Sequence, residues 1–140
     1  MSDFTFLLPV FVQVALTFVL LVRMGSMRVA AVRARVVKIR DIALGQSAWP
    51  EDVTKAARSF HNQLETPLLF YVWAALTLIA HKMDWLGLGL AWAYVAARIA
   101  HALVHGASND VPRRFRIFLV SVVILMALWA LLFVKLAMGV

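Results

Sequence analysis

At 140 residues the chain has the size of one domain, yet 64% of it is hydrophobic and its mean hydropathy is +0.87, too apolar for a soluble fold of that length. The formal charge of +7 gathers in two of the three connections between apolar runs, a placement that argues membrane topology and excludes nucleic-acid binding. With no cysteine, disulfides, a protein thiolate nucleophile and cysteine-ligated metal are excluded, so any thiol chemistry must arrive with a ligand.

The first apolar run, Phe4 to Val22, is expected to be a retained span and not a cleaved signal peptide, because Asp3 stands where a basic segment would be and no small-residue cleavage site precedes Arg23. Its helix is expected to continue past the bilayer through "RVAAVRARVVKIR", covering about residues 4–40, since nothing there breaks a helix and the cations suit water and anionic headgroups. "GQSAWPEDV" then reads as a turn and a helix start, with Pro50 at the first helical position and Glu51 and Asp52 complementing the helix dipole. The second helix, about 50–81, begins in water and carries Arg58 to Glu65 into the membrane. "HKMDW" is too short for anything but an antiparallel hairpin with the third helix, about 84–106. There the pairs Gly87/Ala91 and Gly89/Ala93 form two small-residue stripes, read as packing surfaces. "HGASNDVP" closes the third connection, and Pro112 opens the fourth helix, about 112–138.

The later apolar runs are Thr66 to Ala80, Trp85 to Ala97 and Ile117 to Val134. Some fall short of the roughly 20 residues that span a bilayer, but each extends into flanking helical sequence. The expected fold is an all-α membrane protein, four transmembrane helices in one antiparallel bundle. Arginine and lysine crowd the first and third connections, so these face the cytoplasm and both termini lie on the other side.

Arg58, His61, Asn62 and Glu65 are spaced i, i+3, i+4, i+7, which puts them on one face of a continuous helix. That stripe is roughly 10 Å long and leaves Glu65 where water gives out, so its carboxylate needs a cationic or hydrogen-bonding partner. A structural ion pair with Arg58 or Arg98 is one such partner. Arg98, His101 and His105 repeat the device on the third helix, and Arg113, Arg114 and Arg116 open the fourth at the same level. One cavity would thus gather guanidiniums, imidazoles, an amide and a single carboxylate, a set suited to a small polyanion that carries one ammonium. Topology signals alone account for most arginines of the first connection. His101 and His105 lack a third ligand apart from Asp110, so no metal site is expected.

The stretch "RSFHNQLETP" resembles the signature R-x-x-x-N-x-x-E-x-x-P of the membrane-associated proteins in eicosanoid and glutathione metabolism (MAPEG), with the proline one place early. "RIAHALVH" is similar to that family's R-x-x-H in helix three, and "VPRRFRIF" to the arginine-bearing start of its helix four. The resemblance implies a homotrimer of four-helix bundles with glutathione in a cytoplasm-facing pocket between subunits. Carried over by motif, Arg58, Asn62 and Glu65 would hold the peptide, Arg98 and His101 would line the pocket, and Arg114 would stabilise the thiolate, with Arg113 and Arg116 as the alternatives for that role. Departures are His105, where several members carry tyrosine, and Phe115 and Phe118, where some carry serine or tyrosine; His105 keeps hydrogen-bonding capacity.

Three functions follow as expectations. The first is a bacterial-type microsomal glutathione transferase in the inner membrane, conjugating or reducing lipophilic electrophiles or hydroperoxides. The second is a non-catalytic scaffold of the same fold that binds glutathione, lipids or hydrophobic small molecules. The third, a proton-coupled multidrug exporter, is disfavoured because such exporters bury their carboxylate within helix one, which here has no acid beyond Asp3.

Overall fold

The computed structural model describes residues 1–43, 48–106 and 110–139. The central parts of the two loops read as turns, residues 44–47 and 107–109, lie outside the described residues. Among the described residues six helices run in chain order: α1 (Asp3–Arg33), α2 (Ile39–Ile42), α3 (Glu51–His61), α4 (Thr66–Ile79), α5 (Trp85–Gly106) and α6 (Val111–Met138). Three of them, α1, α5 and α6, are long and apolar enough to cross a membrane. At 14 residues α4 is about 21 Å long.

Each terminus of α1 has a local cause. Ser2 caps the start, its Oγ accepting from the Thr5 N–H at 3.2 Å. The expected continuation to residue 40 does not occur. Arg35 adopts φ 55°, and the Arg35 and Val36 N–H groups bond back to Val32 and Ala31 at 3.0 and 3.1 Å, a left-handed stop that usually employs glycine. Turning there lets Val37 bury against Ala31 and Val53, which a straight helix would hold in water. Beyond α2, Pro50 is the residue before α3 and not its first helical residue. The exposed Glu51 carboxylate meets Lys55 Nζ at 2.7 Å, and that hydrogen bond and charge hold its pKa below the usual carboxylate range.

The expected second helix is broken in two. α3 ends at His61, the Gln63 and Leu64 N–H groups tighten onto Phe60 and His61 at 2.9 Å, and α4 restarts at Thr66. Pro67 explains much of this: it offers no N–H to the Gln63 carbonyl and its ring disfavours helical backbone before it, whereas in the first turn of a new helix it loses nothing.

The main core lies between α1, α4, α5 and α6, where Phe6, Phe70, Trp73, Tyr94, Leu125 and Leu128 are buried together. Phe70 stacks on Tyr94 with ring centroids 4.7 Å apart and on Trp73 at 5.8 Å. Of the two small-residue stripes, Gly87 and Ala91 face this core, while Gly89 and Ala93 are exposed. A second cluster of Met24, Ala56 and Ala57 fastens α3 to the far end of α1. At the opposite end, Asp84 Oδ1 accepts from the Gly87 N–H at 2.8 Å and so caps α5, and Asp84 Oδ2 pairs with Lys135 of α6 at 2.8 Å. The bundle is thereby tied at both ends, and the break in the chain between α3 and α4 sits between the ties.

Candidate functional site

A cleft of about 220 Å³ opens where the α3–α4 break, the second half of α5 and the start of α6 converge. Asn62, Glu65, His101 and Arg114 supply its polar wall, and Val111, Phe115 and Phe118 its apolar one. Three devices deliver these four polar residues. Asn62 and Glu65 belong to the unwound segment, and Glu65 stands immediately before α4, where the positive end of the helix dipole favours its carboxylate. His101 lies on the face of α5 turned to α6, its ring 6.0 Å from that of Phe118. Arg114 falls in the first turns of α6, whose start is capped by Asp110 accepting from the Arg113 N–H at 3.2 Å. Of the three arginines there, Arg114 is half-buried in the cleft wall, while Arg113 and Arg116 are exposed.

Behind this wall runs a second layer. The Asn62 amide lies 3.4 Å from His105 Nδ1, and His105 is buried, edge-on to His101 at 6.0 Å. Arg98 is completely buried, and its Nη2 donates to the Asn62 carbonyl at 2.7 Å. That carbonyl is one the broken helix leaves available, so the guanidinium takes the place of a backbone donor. The motif reading put Arg98 in the pocket lining; in the structure it supports the lining from inside. No ion pair of Glu65 with Arg58 or Arg98 forms among the described residues.

The single stripe of Arg58, His61, Asn62 and Glu65 is therefore not realised. Arg58 and His61 end α3 as exposed side chains outside the cleft, whereas Asn62 and Glu65 turn into it. The helical spacing that joined them fails once the helix unwinds at residue 62. The structure does unite Asn62, Glu65, His101 and Arg114, with His105 and Arg98 directly behind. Sequence reasoning missed Gln63, and missed Gln13 of α1, which donates to Gln63 at 3.0 Å with both side chains buried. An isolated polar residue inside the apolar run Phe4 to Val22 was the available signal.

Such a donor set suits a small molecule with several negative charges and one positive. Two searches for known proteins, one of curated proteins and one of solved structures, found no significant match. A comparison with protein families found one: the MAPEG family, over residues 6–134. That match contains every residue that lines the cleft, and it spans the motifs at Arg58–Pro67, Arg98–His105 and Val111–Phe118. Both the motifs and the match over residues 6–134 thus lead to the same conclusion, that the chain belongs to the MAPEG family.

Proposed function

We infer that the protein is a glutathione-dependent membrane enzyme of the microsomal glutathione transferase type, conjugating or reducing lipophilic electrophiles or hydroperoxides. The observation that carries this reading is the cleft in which Asn62, His101 and Arg114 face one carboxylate, Glu65. Two carboxylates, an ammonium and a thiol find partners of the right sign in that set. Glu65 takes the ammonium, Asn62 and His101 bond the peptide, and His105 orients the Asn62 amide from behind. Arg58, at the exposed end of α3, adds positive charge near the rim.

Once bound, glutathione supplies a thiol that reacts as its thiolate. Free thiols ionise near about pH 8.5, so holding the ionised form at neutral pH asks for roughly 2–3 kcal/mol of differential stabilisation. Arg114 is the residue assigned to that task, because a half-buried guanidinium is poorly screened and the start of α6 adds its own positive potential. The space of about 220 Å³ is below the roughly 300–1,000 Å³ of most ligand sites. A neighbouring protomer closing the open side fits this, as does the homotrimer of the family. In that assembly α4 and the unwound segment before it complete a fourth crossing, with the cleft on the cytoplasmic side of a bacterial inner membrane and both termini opposite.

A non-catalytic scaffold with the same ligand is the second reading, favoured by Phe115 and Phe118, which place apolar rings in the wall where a hydroxyl would assist a thiolate. Calorimetric titration of the detergent-solubilised protein with glutathione tests the shared part: saturable binding supports it, and the absence of saturable heat rejects it. Turnover of a lipophilic electrophile then separates enzyme from scaffold.

A further inference from the structure

Two of the four polar residues of the cleft wall lie on the unwound segment 62–65, so whatever fixes that segment also aims the site. A helix sets the direction of its side chains through its own hydrogen-bond ladder; an unwound segment has to be set from outside. Besides the Asn62–His105 contact at 3.4 Å, two outside contacts reach it. From α5, Arg98 Nη2 holds the Asn62 carbonyl at 2.7 Å. From α1, Gln13 Nε2 donates to Gln63 Oε1 at 3.0 Å, and Gln63 Nε2 in turn reaches the Ser59 carbonyl of α3 at 3.4 Å.

Gln13 is at 0% exposure and Gln63 at 1%. Gln13 also sits halfway along the apolar run Phe4 to Val22, where an amide is costly unless it is bonded. Packing alone would be served by leucine at both positions. What leucine could not do is choose one rotation of the segment. With the Gln63 side chain drawn to α1, its neighbours Asn62 and Glu65 turn to the other side, into the cleft.

We propose that Gln13 is a positioning residue for the ligand site, acting through Gln63 to hold segment 62–65 in the rotation that presents Asn62 and Glu65 to the cleft. The identity of the ligand rests on the glutathione reading; the clamp itself does not.

The test compares the full-length wild type with Gln13→Leu and with the double variant Gln13→Leu/Gln63→Leu. Thermal unfolding, amide hydrogen exchange over 62–66 and the dissociation constant for glutathione are measured on each. Gln13→Leu orphans the Gln63 amide oxygen, so its thermal midpoint falls, exchange in the segment accelerates, and glutathione binds about fivefold to tenfold more weakly, the loss of one buried hydrogen bond. In the double variant no polar side chain is orphaned, so the midpoint returns towards wild type. Its exchange and its affinity stay at the Gln13→Leu level if Gln13 positions the segment. Recovery of affinity together with the midpoint, or wild-type exchange at 62–66 in Gln13→Leu, makes the pair merely structural and overturns the proposal. Should the wild type bind no glutathione, the glutathione reading fails, and exchange alone decides the clamp by the same criteria.

Discussion

Arg98 was expected to line the cleft, and the structure sets it behind the lining instead. Its guanidinium is wholly buried, with one nitrogen on the Asn62 carbonyl and Nε and Nη1 without partners among the described residues. A charge so placed has a large desolvation cost, and lysine, lacking the planar fork, is no substitute. Arg98→Lys is expected to loosen the segment 62–65, seen as faster amide exchange there, while exchange in the middle of α6 stays unchanged. Glu65 differs in being exposed, so its contribution to an ammonium is screened by water. Glu65→Gln is expected to weaken glutathione binding about fivefold to tenfold, roughly 1 to 1.4 kcal/mol, in a calorimetric titration. Asn62, Glu65, His101 and Arg114 were legible because polar and charged groups are rare at the ends of apolar runs and therefore conspicuous. Arg58 was misplaced because its grouping assumed an unbroken helix, and Gln13 was passed over because a lone glutamine has no spacing to give it away.

Helix ends were the least legible features at the scale of elements. Both α1 and α4 stop on left-handed residues that are not glycine, Arg35 at φ 55° and His81 at φ 54°, so the usual punctuation is missing from the sequence. After α4, the His81 and Lys82 N–H groups bond back to Leu78 and Thr77, each at 3.0 Å, the pairing that commonly carries glycine. His81→Gly is therefore expected to raise stability by about 0.5–1 kcal/mol, the left-handed strain removed less the added freedom of the unfolded chain, as read by thermal unfolding. Gly87 calls for the opposite prediction. A Cβ there would lie 2.8 Å from Asp84 Oδ1, the atom that caps α5. Gly87→Ala is expected to push Asp84 off both the cap and Lys135, lowering stability by about 1–2 kcal/mol in the same assay. The break at residue 62 was half legible: Pro67 announces a disturbance, but a proline also permits a kinked, continuous helix, and the contacts with Gln13 and Arg98 that accompany a full break come from distant parts of the chain.

Across the whole molecule, apolar side chains such as Phe11, Phe18, Leu103, Met126 and Phe133 point outward, as a surface in contact with lipid or with further copies requires. Composition alone made that inversion readable, and the three long apolar helices follow from it. Assembly was not readable from composition or spacing, because lipid and a second protomer ask for the same outer surface. Native mass spectrometry from detergent is expected to give three chains carrying up to three glutathiones; a monomer that binds glutathione with undiminished affinity would remove the neighbour from the site. In the proposed function one cleft both holds glutathione and ionises its thiol through Arg114. Ultraviolet difference spectroscopy on mixing the protein with glutathione at neutral pH measures that ionisation directly. A thiolate band is expected with the wild type and is lost in Arg114→Ala, with glutathione still bound by calorimetry; no band with the wild type, or an undiminished band in Arg114→Ala, would refute the role of Arg114.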